Sequence, residues 1–221
     1  MRTDEPRPVL LRDYAPPAFL VEEAALDIEL DPKATRVRAR LRMRRNEAAA
    51  TPDAPLVLDG ERLTLHEVRI DGETLGANAY QTDDRHLTIA ETPDGVFTLE
   101  TVTTCAPEAN TALTGLYLAS GIYCTQCEAE GFRRIAYYPD RPDVMAVFRT
   151  RIVADEASVP VLLSNGNPVE RGRLDDGRHF VEWHDPFPKP SYLFALVAGN
   201  LACVEDSFIT QSGRTVVLKI Y

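Results

Sequence analysis

Three polar side chains, Gln126, Glu128 and Glu130, fall at every second position of the string Thr125-Gln126-Cys127-Glu128-Ala129-Glu130-Gly131-Phe132-Arg133. An extended chain sends alternate side chains to opposite faces. Run as a strand, the string would gather two carboxylates and an amide carbonyl on one face, with the small Cys127 and Ala129 on the other. No cation within the strand shares the acidic face. Such a face suits a bound cation, either a metal ion or the ammonium of a ligand. The alternative is a solvated acidic face, since exposed charge is the usual state of glutamate.

Cys124-Thr125-Gln126-Cys127 overlaps the same string as a C-x-x-C pair, which serves redox chemistry or half of a zinc site. A structural zinc site needs a second pair of ligands at recognisable spacing. The other two cysteines, Cys105 and Cys203, are isolated, and the four histidines are scattered. A redox pair opens a helix in a βαβ unit, which this strand-rich region does not offer. Free, partly buried thiols are the preferred reading.

The elements that must position these groups read as β throughout. Leu26, Ile28 and Leu30 alternate with Asp27 and Glu29, and Asp31–Thr35 forms a turn. Val37, Ala39, Leu41 and Met43 then alternate with Arg36, Arg38, Arg40, Arg42 and Arg44. Paired antiparallel, the acidic and arginine rows lie opposite each other, each contact worth about 0.2–1 kcal/mol; a polyanion site is the less favoured use of the arginines. Further strands are expected at 56–58, 68–70, 86–89, 96–102, 147–153, 159–163 and 179–183, separated by Asp59-Gly60, Asp71-Gly72, Thr92–Gly95, Ser164–Asn167 and Asp175–Gly177. Tyr192–Ala198 is the most apolar run and predicts a central strand covered on both sides. No long 3.6-residue period occurs, and Pro142–Val147 is at most a short helical turn. The pattern predicts a large all-β sandwich or saddle.

A chain of 221 residues suffices for one large domain, or one domain and part of a second. Its 44% hydrophobic and 26% charged content is that of an ordinary globular protein. The formal net charge of −10 argues against nucleic acid as a partner. No apolar run approaches a membrane span, and Met1–Pro6 has no apolar core of a signal peptide. A cytoplasmic location and no membrane partner are therefore expected. Gly199-Asn200 marks a weak boundary, followed by strand-like 207–210 and 215–221. The pattern breaks off at Tyr221, as a truncated chain would.

Several long strings resemble the N-terminal domain of bacterial aminopeptidase N, a zinc-dependent gluzincin peptidase. They are Tyr123–Arg134, Tyr138–Val144, Leu162–Asn167 and Asp185–Gly199, with Leu11-Arg12-Asp13-Tyr14 near the start. The resemblance spans essentially the whole chain. It implies an all-β, saddle-shaped antiparallel domain over residues 1–200, which anchors substrate. Residues 201–221 would open a thermolysin-like catalytic domain of the same polypeptide.

The family's H-E-x-x-H and G-x-M-E-N motifs do not occur. His66-Glu67-Val68-Arg69-Ile70 begins like the first but has Ile70 in place of the second histidine, in strand-like surroundings; the motif requires two ligands on one helical face. Zinc is thus implied for the full-length enzyme and not for this chain, which alone should not hydrolyse peptides. The resemblance further implies that Gln126 and Glu128 bind the N-terminus of a peptide. Glu128 would hold the α-ammonium, while Gln126 would accept from the same group and line the pocket for the first side chain. Glu130 is expected to pair with Arg133 or Arg134.

Among the other strings, Pro139–Asp143 is expected as a rigid turn with a buried Asp–Arg bond, and Trp183, Phe180 and Phe187 as core or interface. His179 and His184 lack supporting metal ligands, and Ser164–Asn167 lacks the context of a nucleophile. Two other classes remain: a stand-alone β-sandwich binding module, and a C-x-x-C redox or metal protein.

Overall fold

A computed structural model describes residues 10–51 and 53–221; Met1–Pro6 lies outside them. β1 (Phe19–Glu29) and β2 (Thr35–Arg45) form a long hairpin. The short strands β3 (Leu56–Asp59), β4 (Thr64–Ile70), β5 (Glu73–Thr74), β6 (Tyr80–Thr82) and β7 (His86–Ile89) follow, then the long β8 (Val96–Cys105). β9 (Gly115–Ala119) and β10 (Ile122–Gln126) make a second hairpin. Next come β11 (Met145–Asp155), β12 (Val161–Ser164), β13 (Asn167–Arg173), β14 (Arg178–Pro190) and β15 (Leu196–Gly199). β16 (Val204–Ile209) and β17 (Thr215–Ile220) end the chain as a hairpin. The described residues contain 3-10 turns but no α-helix. The all-β expectation holds.

Eight strands form the main sheet in the order β13-β14-β11-β1-β2-β8-β4-β5. Its pairings are antiparallel apart from β1 with β11, which run parallel. Smaller sheets have the orders β12-β15-β10-β9 and β3-β7-β6. One apolar cluster joins all three: Leu26, Leu41, Leu99 and Phe148 from the large sheet meet Leu58 and Leu87 from one small sheet and Tyr123 and Leu196 from the other.

β1 shows how local chemistry sets this core. Phe19 and Val21 point inward, but so do Ala24, Leu26 and Ile28, which have the opposite parity. A bulge between Val21 and Glu23 inserts the extra residue that makes both sets face the core. On the outer face the register sets Asp27 beside Arg38 and Glu29 beside Arg36, as the alternation predicts. The ion pairs spread more widely than a two-strand ladder. Glu29 meets Arg36 at 3.6 Å and Arg178 at 3.0 Å, whereas Asp27 turns to Arg151 at 3.1 Å and Arg38 to Glu100 at 4.0 Å. Apart from Arg38–Glu100, whose carboxylate is mostly buried, these partly exposed pairs contribute little each. Their main effect is to keep that face wet.

The apolar run Tyr192–Ala198 is not a single strand. Ser191–Leu193 forms a 3-10 turn, and only Leu196–Gly199 is extended, although β15 is central in its sheet as expected. Leu193 is exposed, and the hydroxyl of Ser164 and amide of Asn165 bond the carbonyls of Ala195 and Leu193, fixing the bend. Phe187 is 77% exposed, so it is not core, while Trp183 packs against the core's edge and Phe180 lies under the Arg151 guanidinium.

Candidate functional site

The expected strand over Thr125–Arg133 ends at Gln126. From Cys127 the chain folds into a tight turn, closed by the Gly131 N–H donating to Cys127 O at 2.8 Å, and continues as a 3-10 turn over Phe132–Arg134. The peptide between Glu128 and Ala129 is cis. The alternation of Gln126, Glu128 and Glu130 on one strand face therefore does not hold. The turn wins because both ends of the string are captured by the core: Cys127 and Phe132 are buried, leaving Glu128, Ala129 and Glu130 outside.

Glycine makes the turn possible. A Cβ on Gly131 would lie 2.2 Å from Gln126 O and 2.9 Å from the Cys127 Cα, and backbone cannot move aside as a flexible side chain can. Gly131→Ala is accordingly expected to cost about 1–3 kcal/mol, read as a lower thermal midpoint. An unchanged midpoint would contradict so close an approach.

Thr125 is clamped on the other side. Its hydroxyl accepts from the Leu196 N–H at 2.8 Å and lies 3.2 Å from Leu196 O, tying the end of β10 to β15. Gln126 Nε2 donates to Glu128 O at 3.2 Å, which leaves Gln126 Oε1 as an acceptor. Both side chains are exposed.

Cation pairing separates the carboxylates around this turn. Glu130 meets Arg133 Nη1 at 3.8 Å, in keeping with its expected structural part. Arg133 also reaches Asp140 through Nε at 3.0 Å and Asp59 through Nη1 at 3.6 Å. Burial opposes charge on the Arg133 guanidinium, but Asp59 and Asp140 outweigh it and raise the pKa. For Asp59 burial dominates and pushes the carboxyl upward, against the pull of Arg133. Glu128 differs: among the described residues its carboxylate meets no cation.

The buried Asp–Arg bond expected within Pro139–Asp143 is made with Arg133 instead. Arg141 pairs with Asp143 at 2.7 Å, and Asp143 accepts from the Tyr14 hydroxyl at 3.1 Å, pinning the N-terminal segment to this turn. The network through Asp59, Arg133, Asp140 and Ser191 was not legible as such, because Asp59 reads as turn chemistry and Ser191 as part of an apolar run.

Two clefts flank the region. One of about 520 Å³ is lined by Arg62, Cys105, Asn110, Leu116 and Arg134, the other of about 560 Å³ by Gly60, Arg62, Asp83, Arg85 and Tyr137, and Glu61 lines both. Gln126 and Glu128 line neither.

The four cysteines are free thiols. Burial pushes Cys105 and Cys127 up to about 12 and raises Cys124 less, so the C-x-x-C pair lacks the low-pKa thiol of a redox motif. Thiol labelling of the native chain is expected to modify Cys203 readily and Cys127 and Cys105 only on unfolding. Rapid labelling of Cys127 would contradict this burial.

His66 and Glu67 lie on β4, not on a helix; His66 bonds the Thr104 hydroxyl at 3.0 Å and Glu67 pairs with Arg69 at 2.7 Å. Among the described residues no three His, Cys, Asp or Glu side chains are grouped as metal ligands. The described residues do not fit a catalytic zinc.

The domain is all-β, and Glu128 stands on a turn held by buried Cys127 and Phe132. The sequence family described as Peptidase M1 N-terminal domain matches residues 20–193, and the chain belongs to that family. Aminopeptidase N of Caulobacter vibrioides is 55% identical over 221 residues, 100% of this chain and 25% of that protein. Aminopeptidase N of Escherichia coli is 47% identical over 219 residues, 99% of this chain and 24% of that protein. Among solved structures, Legionella pneumophila aminopeptidase A in complex with aspartic acid superposes with a TM-score of 0.88 at 39% identity, covering 95% of this chain and 24% of that one. An M1 zinc metallopeptidase from Deinococcus radiodurans shares the fold, with a TM-score of 0.75 at 16% identity over 95% of this chain and 49% of that one. The chain spans about a quarter of the length of the curated relatives it matches.

Proposed function

We propose that this chain is the substrate-anchoring domain of a zinc aminopeptidase that releases residues from peptide N-termini. In this reading Glu128 holds the α-ammonium. Gln126 accepts from the same group through Oε1 and borders the pocket for the first side chain. The observation that carries it is the state of Glu128: each neighbouring carboxylate has an arginine, and this one has none among the described residues. An exposed carboxylate on a braced turn gives a short charge-assisted bond to an incoming ammonium. Zinc, which polarises the scissile carbonyl and activates water, belongs to the length of the relatives that this chain does not cover.

The domain boundary near Asn200 is part of the same proposal. Among the described residues β16 and β17 pair only with each other, and their apolar side chains stand in solvent, Ile220 at 71% exposure. That is the expected state of strands that begin another domain. We also place the protein in the cytoplasm, where four free thiols would persist.

The test is to express the whole reading frame containing this chain and assay release of N-terminal residues from peptides. Release abolished by a chelator and restored by zinc is expected. A purified product that releases nothing in the presence of zinc would overturn the reading.

A further inference from the structure

We infer that Asp140, acting through Arg133 and Ser191, is the positioning residue that fixes the Cys127–Gly131 turn and so sets where Glu128 and Gln126 meet an α-ammonium. The inference rests on the anchoring role proposed above. The Asp140 side chain is 1% exposed and collects donors from two directions. Its Oδ2 accepts from the Arg133 backbone N–H at 3.2 Å and from Nε at 3.0 Å, while Oδ1 accepts from the Ser191 hydroxyl at 2.5 Å. The Arg133 Nη2 donates to Asp140 O at 3.2 Å, and the Asp140 N–H donates to Asp59 at 3.0 Å.

These contacts close a loop around the turn. Ser191 opens the 3-10 turn that leads to Leu196, and Leu196 grips Thr125 at the turn's entrance. Arg133 lies at its exit. A single carboxylate thereby links the two ends of the segment that carries Glu128. Oδ2 accepts both the backbone N–H and the Nε–H of Arg133, and an amide at this position would withdraw the charge that faces the guanidinium. Arg133 also neutralises Glu130, leaving Glu128 as the site's open charge. Asp140 and Ser191 need not touch substrate, since displacement of a bound group by about 1 Å can cost about a hundredfold in rate.

Ser191→Ala, Asp140→Asn and Glu128→Gln would be compared in the complete aminopeptidase. Ser191→Ala removes one donor without unpairing Arg133, so it decides the matter should Asp140→Asn fail to fold. Expected are losses in kcat/KM of about tenfold for Ser191→Ala and about a hundredfold for Asp140→Asn. Inhibition by a free amino acid should weaken in parallel, while inhibition by a hydroxamate lacking an amino group stays unchanged. In the Glu128→Gln background both losses should largely vanish, because residues acting as one unit are not additive. A defective Glu128→Gln beside unaffected Ser191 and Asp140 variants overturns the positioning role alone. So do losses that persist in full without Glu128, or that fall equally on both inhibitors. Normal kinetics in Glu128→Gln overturn the anchoring role and this inference with it.

Discussion

With the proposed anchoring role, glutamine in place of Glu128 is expected to lower kcat/KM of the full-length protein by about 2–3 kcal/mol, the worth of a hydrogen bond to a charged group, or roughly 30- to 150-fold. The substitution preserves shape, removes the charge and turns one acceptor oxygen into an N–H donor, so the loss reports the ammonium contact and not a repacked turn. KM should rise because the ammonium is held in the ground state, and kcat should fall because a loosely held N-terminus presents its carbonyl imprecisely. Gln126→Ala should cost about 1 kcal/mol, unevenly across substrates that differ in their first residue. Steady-state kinetics on aminoacyl anilides check both. Unchanged constants for Glu128→Gln would remove it from the site.

The largest effect on stability is expected at Phe132, whose ring is fully buried directly after Gly131. It meets Tyr138, Phe194 and Phe148 edge-on, with ring centroids 5.1, 5.3 and 5.9 Å away. Three aromatic neighbours cannot all collapse into the space left by alanine, so Phe132→Ala should cost about 3–5 kcal/mol. Domains of this kind have only about 5–15 kcal/mol in total. Urea unfolding of the chain should show the midpoint fall with an unchanged slope; a loss below about 1 kcal/mol would contradict this packing. Because Phe132 follows the turn directly and anchors its exit in the core, a cavity there should also loosen Glu128.

The strands were legible because period-2 alternation reports burial directly. Val37 to Met43 against Arg36 to Arg44 is such a case, and it held to the register. Alternation misled at Gln126, Glu128 and Glu130, where a polar run at the right spacing sits on a turn. Gly131 and the buried pair Cys127 and Phe132 decided that geometry, and their effect depends on neighbours distant in sequence. Gly115, for instance, approaches Gly131 from another strand. The partners of Asp140 were hidden for the same reason: Ser191 lies 51 residues away. Spacing alone could propose a cation site here. It could not tell which carboxylate the protein neutralises itself.

The most direct test is a structure of the full-length protein with an amino acid or short peptide bound. The account predicts the ligand's α-nitrogen about 3 Å from a Glu128 carboxylate oxygen, with Gln126 Oε1 beside it. An α-ammonium held wholly by other residues, with Glu128 facing bulk water, would contradict it.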